Sequence, residues 1–180
     1  MFAERNLELS GGCQGRGLGA ILLRERNMKL HKHDRIGYQG IDYQVEGILS
    51  YALTDRVLFL ARMVGPGQVR YLEPATSDEE DRVLVLAEIE NLDITTPPPD
   101  TIYYRRESYL LKVSGAAEVR EADGGAGAAA GTCTLWRYHA AGDQFLQIEQ
   151  WPEKVRMFAG ASVHRDMLEI RPATLKNETS

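Results

Sequence analysis

The stretch TCTLWRYHAAGDQFLQIEQW, residues 132–151, carries the clearest local signal for the fold. Its two arms, Thr132–His139 and Gln144–Trp151, are rich in the β-branched and aromatic residues that strands prefer. The four residues between them, Ala140-Ala141-Gly142-Asp143, are typical of a short loop that joins neighbouring antiparallel strands. The stretch therefore predicts a β-hairpin, and along each arm successive side chains point to opposite faces.

The same pattern continues outward from this hairpin. Short apolar or alternating segments recur every eight to twelve residues, separated by Gly, Pro or Asp, as in all-β sandwiches and barrels. We therefore predict a mostly β fold, an antiparallel barrel or sandwich of about 9–11 short strands with few or no long helices. The alternative helices, 84–92 and 152–159, lack a sustained helical stripe with caps. The predicted strands are 41–53, 56–64, 68–72, 82–90, 103–113, 116–121, 132–139, 144–151, 154–163 and 166–170.

Three of these segments also predict which faces of a strand are buried or which strands pair. Segment 82–90 has apolar residues at successive positions, which is typical of a strand buried on both sides. Segment 103–113 is expected to pair with 116–121 across a turn at Ser114-Gly115. In segment 41–53 an uninterrupted period of two places on one face Tyr43, Val45, Gly47, Leu49 and Tyr51.

A chain of 180 residues has the usual size of one domain. Residues 1–17 are rich in glycine, whose backbone entropy opposes regular structure, and are expected to form a flexible leader. Residues 18–173 are predicted to form a single β-rich domain, and the polar residues 174–180 a disordered tail. The segment Leu18–Leu30 fits either a short helix or a first strand.

Composition restricts the classes of function. The net charge of −5 and the scattered basic residues argue against a nucleic-acid partner. No apolar run is long enough to span a membrane, and the start of the chain has no secretory signal. Two cysteines, Cys13 and Cys133, are too few for a disulfide framework, so a reduced pair and a cytoplasmic location are expected. Cys133 is expected to pack in the core, since a nucleophile needs an activating base nearby.

Metal and cofactor motifs are weak. On a strand, His31 and His33 would share a face and could ligate zinc with an acidic third ligand. The other two histidines stand alone in the sequence, so we expect the pair to be solvated and predict no metal. The glycines between Gly11 and Gly19 are not followed by the Lys-Ser/Thr of a phosphate-binding loop. No cofactor is predicted.

Glu149 is the most interesting carboxylate, because by alternation it shares a face with aromatic residues. An acid on such a face can be buried with a raised pKa, which suits a general acid. The simpler alternative is an ion pair with Arg137 or Arg156 on a neighbouring strand. The aromatic residues of the second half could line a groove for a ligand, or form core and cross-strand pairs. The candidate ligand-binding residues are Tyr104, Tyr109, Trp136, Phe145, Glu149 and Trp151.

The second half contains a recognisable series of motifs, with a variable glycine-rich loop after the third of them, Gly115–Val119. The motifs are Tyr104, Glu107-Ser108-Tyr109, Gly115-Ala116-Ala117-Glu118-Val119, Trp136-Arg137-Tyr138, Leu146-Gln147-Ile148-Glu149-Gln150-Trp151, Gly160 and Leu168-Glu169-Ile170. Upstream of them lie Leu30–Asp34, Gly40 and Tyr43-Gln44-Val45-Glu46-Gly47. With these motifs the chain resembles the bacterial family called domain of unknown function 4178, over about residues 30–171. Where that family usually has Gly-Asp, this chain has His33-Asp34, which suggests a different turn.

The resemblance implies a β-rich soluble module and assigns no catalytic residue. Such domains tend to be encoded near membrane proteins, phage-shock-like coat proteins and spermidine-synthase-like proteins, which implies an accessory role in envelope stress or polyamine physiology. The first hypothesis is therefore a non-enzymatic binding module for a protein partner or small ligand. The alternatives are a small-substrate enzyme using Glu149 or a metal at His31 and His33, and a lipocalin-like carrier. Partner identity and oligomeric state stay open.

Overall fold

The computed structural model describes residues 28–74, 81–90, 92–123 and 130–173. The predicted leader 1–17 and tail 174–180 lie outside these ranges. Of the segment 18–30 only residues 28–30 are described, and they have no regular secondary structure.

The described chain is built almost entirely of strands, and its one helical element is the short 3-10 turn Arg165–Met167. Within the described ranges no helix has the length and apolar character needed to cross a membrane. The strands are β1 (Arg35–Tyr38), β2 (Ile41–Ala52), β3 (Val57–Gly65), β4 (Gln68–Glu73), β5 (Arg82–Glu88), β6 (Thr101–Tyr104), β7 (Glu107–Asp123), β8 (Gly131–Ala140), β9 (Gln144–Gln150), β10 (Val155–His164) and β11 (Leu168–Arg171).

Eight of these strands close into an antiparallel barrel in the order β2-β3-β4-β5-β10-β9-β8-β7, because β7 pairs back onto β2. The first half of β2 pairs with β1, which in turn pairs with β11, and β6 pairs with β7 on the other side. The predicted fold class is confirmed, in its barrel form. The two alternative helices are wrong, since their residues lie mainly in β5 and β10.

The hairpin predicted from residues 132–151 is confirmed as β8 and β9, joined by residues 141–143. Strand β5 is buried on both sides, with four successive buried residues from Val83 to Leu86. The turn at Gly65-Pro66-Gly67 joins β3 to β4. These features follow from local composition, which is why the sequence predicts them.

The prediction of a single face along β2 is wrong. A bulge between Val45 and Gly47 shifts the register of β2 against β3. A bulge adds one residue to a strand and reverses the alternation beyond it. Tyr43 and Val45 therefore pack outside the barrel, whereas Leu49 and Tyr51 pack inside it.

The predicted hairpin between 103–113 and 116–121 is also wrong. Strand β7 runs without interruption through Ser114 and Gly115, and the turn lies earlier, at Arg105-Arg106. Both arginines have positive φ, 48° and 70°, a conformation that two-residue hairpins require and that usually selects Asn or Gly. Because neither arginine is a turn residue by composition, local propensity gave no signal for this turn.

The interior of the barrel is filled by one cluster of side chains that comes from all eight strands. We call it the interior cluster; its buried members are Leu49, Tyr51, Leu58, Leu60, Tyr71, Leu84, Leu86, Ala117, Val119, Cys133, Leu135, Trp151 and Phe158. Two further clusters cover the outside of the wall. One lies under β1 and β11. The other, which we call the outer cluster, lies under β6 and includes Tyr109, Tyr138, Leu146 and Ile148, with Ile89, Leu92 and Ile94 packed against it.

Close approach of two strands makes Gly160 of β10 a critical residue. A Cβ atom at this position would lie 1.9 Å from the carbonyl oxygen of Val85 on β5. We expect Gly160→Ala to lower the free energy of unfolding by about 3 kcal/mol, because the backbone of one strand has to move. The measurement is urea unfolding followed by tryptophan fluorescence.

Gly115→Ala is the matched control. A Cβ atom there would meet nothing closer than Leu53 Cδ2 at 3.9 Å, so we expect a change within about 0.5 kcal/mol. Equal unfolding midpoints for the two variants would contradict the close packing of β5 against β10.

Candidate functional site

Glu149 lies inside the barrel and is completely buried. Three neutral donors bond to its carboxylate. The Tyr51 hydroxyl and the Gln147 amide donate to Oε1 at 2.9 and 2.8 Å, and the Trp151 indole N–H donates to Oε2 at 3.0 Å. Gln147 and Trp151 are on the same strand face as Glu149, as alternation predicts, whereas Tyr51 reaches it from β2. Both carboxylate oxygens are thus occupied.

Arg156 on β10 supplies the countercharge. Its Nη1 lies 3.6 Å from Glu149 Oε2, and its guanidinium also donates to the Glu88 carboxylate and to the Tyr71 hydroxyl. The guanidinium carbon lies 4.7 Å from the centre of the Phe158 ring, which adds a cation–π contact. The structure therefore gives Glu149 the ion pair that was the simpler of the two sequence hypotheses.

A second ion pair continues this arrangement across the barrel. The side-chain oxygen of Gln147 accepts a hydrogen bond of 2.8 Å from Arg137 Nε. The two terminal nitrogens of Arg137 bind both oxygens of Glu73, a bidentate pair. Carboxylates and guanidinium groups thus alternate in one chain, which we call the interior polar chain and which consists of Glu88, Arg156, Glu149, Gln147, Arg137 and Glu73.

The contacts of the interior polar chain occupy both carboxylate oxygens of Glu149. A general acid needs an oxygen that can meet a substrate. Each oxygen of Glu149 instead faces donors that belong to the protein. Burial, and secondly the Glu149 charge, raise the pKa of Tyr51, so its hydroxyl stays a donor.

Cys133 lies close to Glu149 in the same interior and has a free, buried thiol. Burial, and secondly the Glu149 carboxylate, raise its pKa to about 12. This is the reverse of the activation that a nucleophilic thiolate requires. His139, the nearest histidine in sequence, packs its ring on Phe145 with centroids 4.0 Å apart.

The outside of the barrel carries an open groove of about 630 Å³, which we call the outer groove. Its base is formed by residues with short side chains on β5 and β10, Ala87, Ala159 and Gly160. One wall holds Arg70 and Glu88, and the β6–β7 hairpin forms the other wall. Small residues at the base leave room that larger side chains would fill.

The β6–β7 hairpin brings aromatic and charged groups to the outer groove. Tyr104 is half-buried and Tyr109 is buried, with ring centroids 6.4 Å apart. Arg105 lies over the Tyr104 ring at 5.2 Å, and Glu107 lies beyond the turn at the rim. The sequence alone does not identify Arg70 and Arg105 as groove residues. No motif contains Arg70, and Arg105 is one half of an ordinary basic pair.

The six candidate ligand-binding residues do not form one site. Tyr104 and Tyr109 line the outer groove, and Trp136 packs against the outer cluster. The other three, Phe145, Glu149 and Trp151, face the barrel interior. A closed wall separates the two groups, because neighbouring positions of a strand point to opposite sides of it.

His31 and His33 lie in a turn before β1, so the strand geometry that would give them one face does not occur. His31 Nδ1 is 3.8 Å from Asp123 Oδ2, and His33 Nδ1 is 3.0 Å from the Gln44 amide nitrogen. His33 has φ of 75°, a conformation that favours glycine. Among the described residues no three His, Cys, Asp or Glu side chains group as metal ligands do.

A family model described as a domain of unknown function, DUF4178, matches residues 32–165. The chain belongs to the DUF4178 family. The match confirms the resemblance drawn from the motifs, and it runs from the turn before β1 to the 3-10 turn before β11, so it includes every strand of the barrel. No curated protein and no solved structure matches the chain significantly. The function of this DUF4178 domain has therefore to be inferred from its own residues.

Replacing Glu149 tests the interior polar chain. In Glu149→Gln the new amide nitrogen is a donor that faces other donors, and Arg156 loses a countercharge. We expect the free energy of unfolding to fall by about 3 kcal/mol, as for other broken buried pairs. Urea unfolding measures the change.

Glu118→Gln serves as the control, because Glu118 is exposed and its ion-pair partner among the described residues is the exposed Arg120. Its effect is expected to stay within about 0.5 kcal/mol. If both variants unfold at the wild-type midpoint, the polar chain does not stabilise the barrel.

The raised pKa values of buried neutral side chains predict a loss of stability at alkaline pH. Burial is the main cause that raises the pKa of Cys133 from 9.0 and of Tyr138 from 10.0, both to about 12. Above pH 9 the unfolded chain releases protons that the folded chain keeps, so stability present below that pH is lost as the pH rises towards 12. We expect a fall on the order of 1 kcal/mol per pH unit for each group, measured by urea unfolding. In Cys133→Ala the slope between pH 9 and 10 should be shallower, and an unchanged slope would refute the assignment.

Proposed function

We propose that this DUF4178 domain is a non-enzymatic binding module and that its ligand site is the outer groove. The observation that carries the proposal is the contrast between a filled barrel interior and an open groove of about 630 Å³ on the outside. Binding pockets for small ligands commonly measure about 300–1,000 Å³.

The filled interior argues against the two alternatives. A barrel of eight strands has room either for its own side chains or for one small ligand. Here residues from all eight strands form a continuous cluster, so a lipocalin-like carrier is not favoured. An enzyme acting through Glu149 is not favoured either, because protein donors already occupy both of its oxygens.

The strained turn at Arg105-Arg106 supports the choice of the outer groove. Each left-handed residue other than glycine costs about 1–2 kcal/mol, and such strain is concentrated at functional sites. Here it places Arg105 above Tyr104 at the edge of the groove. The strain energy of this turn therefore supports a functional role for the position of Arg105.

We also propose that the protein is cytoplasmic and that its function is linked to envelope stress or polyamine physiology. Polyamines carry several positive charges, so spermidine is a direct probe for the second link. Arg70 and Arg105 would repel such a ligand and Glu107 would attract it, whereas the Glu88 carboxylate already binds Arg156.

The test is a substitution that places a larger side chain in the outer groove. Ala87 is half-buried at the base, and Ala87→Phe places a ring where a ligand would lie. Protein-observed NMR with a fragment library of anionic, cationic and neutral aromatic compounds, with spermidine added, is expected to give binders that shift the resonances of Tyr104 and Ala159. Their affinity should fall at least tenfold in Ala87→Phe.

Ala52→Phe is the control, since Ala52 is an exposed strand residue that does not line the groove. It should bind every hit as the wild type does. Hits that bind both variants equally, hits that shift only interior residues, or an absence of hits would each overturn the proposal.

A further inference from the structure

The outer groove contains two arginines that have no carboxylate partner among the described residues. Seven described arginines form ion pairs with carboxylates: Arg56, Arg62, Arg82, Arg120, Arg137, Arg156 and Arg171. Five form no such pair with any described residue: Arg35, Arg106, Arg165, and the two groove residues Arg70 and Arg105. Both line the groove.

Arg70 is the more informative of the two, because it is half-buried. Among the described residues its side chain makes one hydrogen bond, a long contact of 3.4 Å from Nη1 to the neighbouring carbonyl oxygen of Val69. A guanidinium group has five N–H donors, and burying it without an anion is costly. Its donors are therefore available to a ligand.

Arg105 faces the same space from the opposite wall. It is exposed, and its guanidinium carbon lies 5.2 Å from the centre of the Tyr104 ring. The ring contact and the left-handed turn hold its position without using its hydrogen-bond donors. The two arginines thus present unused donors from two sides of one groove.

The acidic residues of the groove do not pair with these two arginines. The Glu88 carboxylate is bound by Arg156, with nitrogen-to-oxygen distances of 3.2 and 3.3 Å, and Arg156 also faces Glu149. Glu107 is an exposed residue of the groove lining. The hydrogen-bond donors of Arg70 and Arg105 are therefore not paired with a carboxylate of the described residues, and unpaired guanidinium donors favour an anion.

We infer that the groove binds a small aromatic anion, an inference that rests on the proposed function. The carboxylate or phosphate group lies between Arg70 and Arg105, whose planar guanidinium groups match both anions. The flat body of the ligand lies against Tyr104 and the alanine base. Tyrosine rings and short apolar side chains offer the surface that such a body needs.

The experiment is a calorimetric or NMR titration with benzoate and phenyl phosphate as anionic probes. Benzamide serves as the neutral probe of similar shape, benzylamine as the cation, and inorganic phosphate as the anion without a ring. We expect benzoate or phenyl phosphate to bind at least tenfold more tightly than benzamide, benzylamine or inorganic phosphate. Added salt should weaken the anionic probes.

Arg70→Gln and Arg105→Gln are each expected to weaken the better anionic probe about tenfold and to leave benzamide unchanged. Arg105 is exposed, so its variant folds even if Arg70→Gln does not. Arg35→Gln is the control, because Arg35 is exposed on β1, away from the groove, and has no ion-pair partner among the described residues. It should bind as the wild type does.

The outcomes separate this inference from the proposed function. If neutral or cationic probes bind best and Ala87→Phe abolishes their binding, the groove is a ligand site but not an anion site. If inorganic phosphate binds as well as phenyl phosphate, the aromatic part of the inference is wrong. If no probe binds and the fragment library also gives no hits, both proposals fail.

Discussion

The buried carboxylate of Glu149 is the constraint on which the barrel depends. Removing such a charge from water costs several kcal/mol, which only good geometry and full hydrogen bonding repay. Here three neutral donors and Arg156 surround it, and they come from β2, β9, β10 and the end of β9. Three strands, β2, β9 and β10, must therefore be in register before the charge is satisfied, so the group selects one closed arrangement over alternatives.

The closed arrangement of the barrel also decides where a ligand can lie. The interior polar chain and the apolar interior cluster share the interior space, and the carboxylates of Glu149 and Glu73 are held by protein groups. Free donors remain on the outside, where the β6–β7 hairpin stands over small residues of the wall. Under the proposed function, the inside of the barrel provides stability and the outer groove provides recognition, as in other proteins whose rigid scaffolds carry sites on turns.

The sequence predicts some parts of this arrangement well. Strand positions, the β8–β9 hairpin and the shared face of Gln147, Glu149 and Trp151 follow from period-two alternation, which needs only neighbouring residues. It fails at β2 because a bulge reverses the alternation without changing composition. It fails at Arg105-Arg106 because those residues carry no turn propensity. The six candidate residues split between two sides of the wall because alternate positions of a strand face opposite sides.

By itself the sequence determined the strand-rich class, the family and the neighbours of Glu149 on its own strand. The tertiary structure alone decided that the sheet closes, that Tyr51 and Arg156 reach Glu149, and that Arg70 faces the β6–β7 hairpin. The physical reason is the range of the interactions. Alternation and turn propensity act between residues close in sequence, whereas closure, ion pairing and groove shape depend on the register between strands far apart in the chain.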